Sequence, residues 1–416
     1  MDVVNRCCAG LDVHKRTVVA CLLRATADGR PRKELRTFGT MTEDLLALAD
    51  WLQAAGCEAV AMESTGVFWK PVYNLLEGQL ATVMVVNAAH IKAVPGRKTD
   101  LKDAEWIAEL LQHGLLRPSF IPDRAQRELR DLTRTRTTLI DERSAAINRL
   151  QEVLEDANLK VASVATDVMG VSGRAILAAI LAGETDPAAL AALAKGKLRK
   201  KRVELERALG GRVGAHHRCL LATHLAHIDF LSEQIDHLSA AIAERLRPLE
   251  DELARLDTIP GVDRQTAEVL LAEIGAEMGR FPSAAHLASW AGMCPGNHES
   301  AGKRTSGKTR KGSRWLRRAL TEAAHGAART KQPGRRALAG LYRRLVARRG
   351  KQRAIVAVGH RILTIAYHVL RDRQEYREPA VSYLDEQRRG RARSRALDQL
   401  RQLGYEVTLT PKEPAA

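Results

Sequence analysis

The chain has 416 residues, 45% of them hydrophobic and 28% charged, a composition that excludes a disordered protein and leaves room for two or three globular domains. Its 66 Lys and Arg residues outnumber its 49 Asp and Glu residues, and the resulting formal charge of +17 argues against an ordinary metabolic enzyme. A chain this basic favours a polyanionic partner, above all a nucleic acid.

The cysteines and the apolar segments indicate in which cellular compartment the protein is expected. The six cysteines form no C-x-x-C pair, which disfavours a zinc ribbon or a disulfide framework and favours a reducing compartment. No run reaches the roughly 18 apolar residues that a membrane span needs, and the N-terminus lacks the long apolar segment of a signal peptide. We therefore expect a cytoplasmic protein that does not span a membrane.

The first part of the chain alternates between strand and helix patterns. Three strands are predicted at 7–13, 17–23 and 34–40, and a helix at 43–54 follows them. The pattern continues with a strand, a helix, a strand and a helix, at 58–62, 67–76, 81–86 and from 99 onward. The order β-β-β-α-β-α-β-α is that of the ribonuclease-H-like, or RuvC-like, α/β fold.

Four acids of this region are candidates for a cation site. Asp12 lies in an otherwise apolar strand, where an unpaired buried charge is costly and a bound cation would remove the cost. Glu63 ends the fourth strand, and Asp100 and Asp103 share one face at the start of the last helix. Because sites in α/β sheets gather at strand ends, we expect the four to converge. The alternatives are an exposed edge-strand Asp12 and helix acids that only complement the helix dipole.

Two long helices are predicted in the middle of the chain, each with apolar residues spaced by seven. In the segment 124–154 these residues are Ile140, Ile147 and Leu154. In the segment 228–249 they are Ile228, Ile235, Ile242 and Leu249, with Leu231 and Leu238 between them. The pattern indicates a helical hairpin or a coiled-coil arm for protein–protein contact, and Pro248 is expected to kink the second helix.

Between the two helices lie a basic run and several histidines. The run at 195–202 is expected to be a solvated loop or a phosphate contact. His216, His217, His224 and His227 lack the acid or cysteine partners of a zinc site, so we expect them to line the helical seam.

The C-terminal part carries a turn that resembles a helix-hairpin-helix element. It is formed by Ile259, Pro260 and Gly261 and precedes a predicted helix at 264–274. Asp263 stands where such hairpins usually have a second glycine, so a purely structural turn is the alternative.

After Cys294 the composition becomes small and strongly basic. Ser300 is a candidate nucleophile because its small neighbours would let a phosphate approach, and Ser306 is its rival. The basic residues expected to contact nucleic acid here are Lys303, Arg304, Lys308, Arg310, Lys311 and Arg314. Lys98, beside the acids of the first part, is expected to do the same.

Taken together, five motifs resemble those of the DEDD-type insertion-sequence transposases of the IS-one-ten family, which are bridge-RNA-guided serine recombinases. They occur in the family's order over nearly the whole chain. They are Leu11-Asp12-Val13-His14-Lys15, Met62-Glu63-Ser64-Thr65-Gly66, Arg97 to Ala104, Ile259-Pro260-Gly261 and Glu299-Ser300-Ala301-Gly302-Lys303. Where family members often have Ser-Gly-Gly, this chain has Ser300-Ala301-Gly302.

The resemblance implies an organisation and a set of roles. It implies a RuvC-like domain at 1–122, a helical coiled-coil region at 123–255, a mainly α transposase domain at 256–370 and a basic tail at 371–416. By the resemblance, Asp12, Glu63, Asp100 and Asp103 match the metal ligands, with Mg²⁺ or Mn²⁺ as the ion, and Ser300 matches the nucleophile. The implied partners are donor and target DNA, a guide RNA and further copies of the chain, in a dimer to tetramer.

Two other functions are compatible with the same residues. A metal-dependent, structure-specific endonuclease similar to a Holliday-junction resolvase would use the four acids with water as the nucleophile. A non-catalytic nucleic-acid scaffold would use the acids only as caps of a strand and a helix.

Overall fold

The structure is a computed structural model that describes residues 3–26, 31–64, 66–91, 103–296, 298–300, 303–332, 335–378 and 393–407. At 89, 90, 298–300 and 303–306 it describes the backbone alone. The chain divides into two compact units, Met1–Asp123 and Arg124–Ala416. Among the described helices, none combines the length and the apolar character needed to cross a membrane.

The first unit is built on a five-stranded mixed sheet with strand order β3-β2-β1-β4-β5. The central strand β1 pairs antiparallel with β2 and parallel with β4. The elements are β1 Cys7–Val13, β2 Thr17–Arg24, β3 Arg32–Gly39, α1 Thr42–Ala54, β4 Ala59–Glu63, α2 Trp69–Leu76, β5 Thr82–Val86, α3 Ala88–Ile91 and α4 Asp103–Gln112. The predicted mixed α/β sheet is confirmed, and the order of elements is as predicted except for the additional short helix α3 before α4.

Each face of the sheet has its own apolar core because successive strand residues point to opposite faces. Leu11 of β1 packs with Leu48 of α1 on one face, and Cys8 packs with Ile107 of α4 on the other. The second face demands glycine at Gly10, where a Cβ atom would lie 2.2 Å from the Ala104 carbonyl oxygen. The backbone of α4 therefore rests directly on β1.

The second unit begins with a long helix, α5, that packs along a second long helix, α10. The two helices and the short ones between them are α5 Arg124–Asp156, α6 Val161–Val164, α7 Val171–Leu181, α8 Pro187–Ala192, α9 Arg202–Ala208 and α10 Ala215–Leu246. Ile228 and Leu231 are buried in a cluster with Leu150 of α5, and Ile242 is buried in another with Leu129. The observed arrangement is a helical hairpin within one chain, and a coiled-coil contact with a second chain stays a prediction.

Three expectations for this region need correction. His216 and His227 are exposed and do not line the seam, because each falls one position before a buried residue of α10, His217 and Ile228 respectively. Pro248 lies in a 3₁₀ helix, Arg247–Leu249, that separates α10 from a new α-helix beginning at Glu250, so the proline interrupts the α-helix where a kink was expected. The basic run is not an irregular loop, since it forms a 3₁₀ helix at Gly196–Lys201.

The rest of the second unit packs six helices around an Ala- and Leu-rich core. They are α11 Glu250–Asp257, α12 Arg264–Ile274, α13 Ala284–Trp290, α14 Arg314–Arg329, α15 Ala337–Arg349 and α16 Lys351–Asp372. Between α13 and α14 lies a hairpin of β6 His298–Ser300 and β7 Lys303–Ser306. Residues 379–392 and 408–416 of the predicted basic tail lie outside the described residues.

One buried ion pair and one partly buried ion pair attach α5 to α12. Arg134 contacts Glu273 through two hydrogen bonds of 2.7 and 3.0 Å, and Arg136 lies 2.7 Å from Glu268. Glu273 also accepts a 2.9 Å hydrogen bond from Ser313, the residue that caps α14. Since removing one partner leaves a buried charge alone, these pairs fix the long helix to the C-terminal core.

Candidate functional site

The sheet places Asp12 and Glu63 next to each other. Parallel pairing matches Leu11 with Met62, so the next residues along β1 and β4 lie side by side. Asp12 is two residues beyond Gly10, and Gly10 faces α4, so Asp12 projects from the face that α4 covers. Both carboxylates thus stand at one edge of one face of the sheet.

Asp103 reaches the same place from the helix. It is the first residue of α4 and directly precedes Ala104, whose carbonyl oxygen touches Gly10. The electrostatics agree, because the pKa of Asp12 is raised above its ordinary value by burial and by the negative charges of Asp103 and Glu63, against the lowering effect of His14. We call Asp12, Glu63 and Asp103 the acid cluster.

The acid cluster has the donor chemistry of a divalent-cation site, although its three carboxylates do not all lie within 4.8 Å of one another. Its donors are carboxylate oxygens, the hard ligands that Mg²⁺ and Mn²⁺ prefer. Asp12 is only partly withdrawn from solvent, with 26% of its side chain exposed, and Asp103 is exposed, so an ion and a phosphate could reach them. Burial first, and then repulsion by Asp103 and Glu63, raise the pKa of Asp12, and a bound cation would offset both effects. The predicted ligand Asp100 and the predicted phosphate contact Lys98 lie outside the described residues.

His14 is a member of this site that sequence reasoning missed. Its Nε2 lies 3.0 Å from Oδ2 of Asp12, and the contact opposes the rise in the pKa of Asp12. The sequence held a signal, because residues two apart on an extended chain project to the same side. The imidazole can orient the Asp12 carboxylate, as outer partners of metal ligands do.

The predicted nucleophile lies on the β6–β7 hairpin of the second unit. Ser300 is the last residue of β6 and pairs with Lys303, the first residue of β7, while Ser306 ends β7. The hairpin continues through a bridge between Pro295 and Thr309. The side chains of Ser300, Ser306, Lys303 and Arg304 are not among those that the structure describes.

Arg317 holds the base of this hairpin in place. Its guanidinium donates to Thr309 Oγ1 at 3.0 Å and to the carbonyl oxygens of Gly292 at 2.7 Å and Arg310 at 2.8 Å. Gly292 has φ +66°, and a Cβ there would lie 2.7 Å from the Arg310 carbonyl oxygen. Sequence reasoning saw Arg317 only as part of a basic run, whereas its role in the fold is to anchor the chain after the hairpin.

A basic cleft of about 960 Å³ opens beside the hairpin base. Its lining includes Lys308 and Thr309, together with Arg349, Arg353 and His360 of α15 and α16. The α15–α16 residues were not predicted as nucleic-acid contacts. The other predicted contacts of this region, Arg310, Lys311 and Arg314, are exposed, as phosphate binding would require.

The turn at Gly261 supports the structural interpretation. Gly261 has φ +86°, and a Cβ there would lie 2.1 Å from the Ala323 carbonyl oxygen of α14. Asp263 caps α12 by accepting a 2.8 Å hydrogen bond from the Thr266 amide. The turn packs against α14, and the cap already uses a backbone N–H group that a phosphate would need.

The histidines at the start of α10 have an acidic neighbour after all. Asp156, at the end of α5, groups with His216 and His217. However, His217 Nδ1 accepts the Gly214 amide at 3.0 Å, so the proton of the neutral ring is on Nε2, which contacts Asp156 at 2.9 Å. If a metal bound Nε2, the proton of the ring would move to Nδ1, where it would face the N–H group of Gly214 and break that hydrogen bond. We therefore interpret the group as a link between α5 and α10.

Comparison with known proteins identifies the family. A family model for DEDD transposases of IS110, described as Transposase, matches residues 9–159, which include the acid cluster. A second model, described as Transposase IS116/IS110/IS902 family, matches residues 253–339, which include the β6–β7 hairpin. Together the two matches span more than half of the chain.

The chain is also similar to individual proteins. The chain is 25% identical to a transposase for insertion sequence element IS1111A from Coxiella burnetii, over 77% of this chain and 79% of the relative. It is 31% identical to a pilin gene-inverting protein of Moraxella bovis, over 34% of this chain and 44% of the relative. A solved structure of T. thermophilus RuvC with a Holliday junction aligns over 27% of this chain and 99% of its own, with 14% identity and a TM-score of 0.20. The chain belongs to the IS110 family of insertion-sequence transposases, enzymes that cut and rejoin DNA.

Proposed function

We propose that this transposase cuts and rejoins DNA through Ser300, assisted by divalent metal ions that Asp12, Glu63, Asp100 and Asp103 hold. The observation that carries the proposal is the convergence of Asp12, Glu63 and Asp103 from two strands and a helix. Three carboxylates are costly to gather unless a cation compensates their charge. Mg²⁺ is the proposed ion, with Mn²⁺ as a substitute.

The proposed reaction transfers a DNA phosphoryl group first to serine and then to a second DNA strand. The Ser300 oxygen attacks a DNA phosphate and loses its proton, the bond from phosphorus to the 3′ oxygen breaks, and the 3′ hydroxyl leaves. The 5′ phosphate is then joined to serine. A 3′ hydroxyl of a second strand attacks that phosphoserine, forms the new phosphodiester and releases the serine, so the bond energy is retained without ATP.

The residues of the chain have separate parts in this reaction. When bound, the metal ion would neutralise the phosphate and ease formation of the serine alkoxide. His14 would orient the Asp12 carboxylate toward the ion, since it contacts Oδ2. Lys308 and the arginines after the hairpin would hold the DNA backbone, and Lys303 and Arg304 would offset charge at the reacting phosphate.

Ser300 is proposed over Ser306 because of its place in the hairpin. Ser300 ends β6, next to the small residues Ala301 and Gly302, whereas Ser306 ends β7 and pairs with His298. A nucleophile next to small residues leaves room for a phosphate. The guide RNA, the assembly of two to four chains and the division of the chain into domains at 122, 255 and 370 belong to the same proposal.

Trapping the covalent intermediate tests the proposal. Protein is incubated with Mg²⁺ and DNA carrying the ends of its own insertion sequence, denatured, and examined for a DNA-linked species whose site is mapped by mass spectrometry. We expect the adduct on Ser300, with Ser300→Ala lacking it and Ser306→Ala retaining it. Cutting that persists in both variants would indicate a nuclease that uses water, and equal metal binding by Asp12→Asn and the parent protein would indicate a scaffold.

A further inference from the structure

Six cationic side chains form one exposed surface in the helical region between α5 and α10. This surface, which we call the 195–202 patch, consists of Lys195, Lys197, Arg199, Lys200, Lys201 and Arg202. All six residues are exposed, and no acid interrupts the run. Within the described parts of the chain, none of the six forms an ion pair with a carboxylate, so their charge is not neutralised internally.

The patch is fixed to the fold and is not a loose basic loop. The Lys195 amide donates to Ser172 Oγ at 2.8 Å, and Lys201 Nζ donates to the Val164 carbonyl oxygen at 3.3 Å. Leu198 packs against the apolar cluster that holds Leu150 and Ile228. Holding six like charges on a 3₁₀ helix, its N-cap residue Lys195 and the first residue of α9 costs stability through repulsion, which a polyanionic partner would offset.

The surface around the patch is concave. A hollow of about 530 Å³ is lined by Lys195, Lys197, Lys201 and Thr166, and by one carboxylate, Asp167. Asp167 already accepts the Met169 amide at 2.9 Å. Proteins that bind single strands stack bases on aromatic side chains, and the segment 195–202 contains no aromatic residue. Exposed cations without a stacking surface fit the phosphate backbone of a duplex.

We propose that the 195–202 patch binds the phosphate backbone of a nucleic-acid duplex. It would be a second contact, on a different apolar core from the one that carries the β6–β7 hairpin. The contact would hold the duplex without reading its sequence, because lysine and arginine contacts to phosphate carry no base information. The proposal rests on the family's action on DNA and does not depend on Ser300.

The test compares two triple variants that remove the same charge. Lys197→Ala, Arg199→Ala and Lys200→Ala are combined in the patch variant. Arg124→Ala, Arg247→Ala and Arg371→Ala are combined in the control, in which each arginine is exposed and already paired with a neighbouring carboxylate. Binding to a labelled DNA duplex without insertion-sequence ends, and to an RNA duplex of equal length, is measured by fluorescence anisotropy over a range of salt concentrations.

We expect the patch variant to bind a duplex about tenfold more weakly than the parent. The slope of its log affinity against log salt concentration should decrease by the equivalent of about two to three phosphate contacts. The affinity of the control should stay within about twofold of the parent. A loss confined to DNA or to RNA would identify which duplex the patch takes. Equal weakening of patch and control variants, or no weakening in either duplex, would overturn the proposal.

Lys197→Arg with Lys200→Arg should retain binding, because both changes keep the positive charge. Ser300→Ala should also bind like the parent, so failure of the serine mechanism leaves this test intact.

Discussion

The acid cluster and the β6–β7 hairpin are built in different ways. The three acids stand on a central strand, its parallel neighbour and a helix in backbone contact with the sheet, so the packing of the whole unit fixes their spacing. The hairpin has strands of three and four residues, and its base is held by the Pro295–Thr309 bridge, by Arg317 and by the close backbone approach at Gly292. Local changes should therefore disturb the hairpin more selectively than the acids.

The comparison separates two demands on a transposase. In the proposed mechanism, metal ligands must stay in fixed positions, and a packed sheet provides that at the expense of electrostatic repulsion among the acids. In the same mechanism, a serine that attacks one strand and is released by another must accept two DNA positions, for which a small hairpin is suited. Each of the following predictions compares a residue from one of these regions with a matched control.

The largest effect is expected at the acids. Asp103→Asn should lower the rate of DNA cutting about a thousandfold or more, since it removes a charge that holds the metal ion and about 4 kcal/mol corresponds to this factor. The rate is measured on supercoiled DNA carrying the insertion-sequence ends. Asp50→Asn, an exposed acid on α1, should cut like the parent, and comparable losses in both variants would contradict the assignment.

Gly10 should be the most sensitive position for folding of the first unit. Gly10→Val would force side-chain atoms into the backbone of α4, where even a Cβ lies 2.4 Å from the Ala108 nitrogen, and should cost about 3 kcal/mol in the free energy of unfolding. Urea unfolding monitored by circular dichroism measures the loss. Gly279→Ala, where a Cβ meets nothing within 4 Å, should change stability by less than about 0.5 kcal/mol. Equal stability of the two variants would show that α4 does not rest on β1.

Arg317 should support formation of the covalent DNA adduct because it anchors the base of the hairpin. Arg317→Ala removes three hydrogen bonds at the hairpin base and should reduce the amount of covalent DNA adduct about tenfold. The free energy of unfolding should fall by roughly 1–3 kcal/mol. The control is Arg318→Ala, the next residue on α14, which pairs with Asp141 and Glu322. An equal reduction of the adduct in both variants would contradict a specific anchoring role for Arg317.

The smallest effect is expected for Asp12→Asn, which should stabilise the metal-free protein in a pH-dependent way. Burial and neighbouring acids raise the folded-state pKa of Asp12, so its charged form destabilises the fold at neutral pH and protonation relieves this as pH falls through that pKa. Asp12→Asn in metal-free protein should thus raise the melting temperature by about 2–4 °C at neutral pH. The gain should vanish in acid. A variant less stable than the parent at neutral pH would oppose the account of mutual repulsion.

Much of the fold could be predicted from the sequence because its local periodicities are strong. The strands of the first unit alternate or run apolar, and the spacing of Ile228, Ile235 and Ile242 marked the long helix correctly. Asp12 stood out as an acid in an apolar strand. These features depend on neighbours within a few residues, which the sequence displays directly.

The remaining features depend on contacts between distant residues. Nothing local to Gly10 shows that α4 approaches it, and nothing near Arg317 shows that it would bind three groups at the hairpin base. The pairing of His217 with Asp156 joins residues 61 positions apart, so the sequence alone suggested isolated histidines. Arg349 and Arg353 line the basic cleft only because α15 and α16 pack beside the hairpin base.

The central claim is that Asp12, Glu63 and Asp103 form one binding site for a divalent ion. Calorimetric titration of Mn²⁺ into the parent protein and into Asp12→Asn, Glu63→Gln and Asp103→Asn tests it most directly, with Asp50→Asn as the control. The account predicts that each cluster variant binds about tenfold or more weakly, while the control binds like the parent. Unchanged Mn²⁺ affinity in all three cluster variants would contradict the claim.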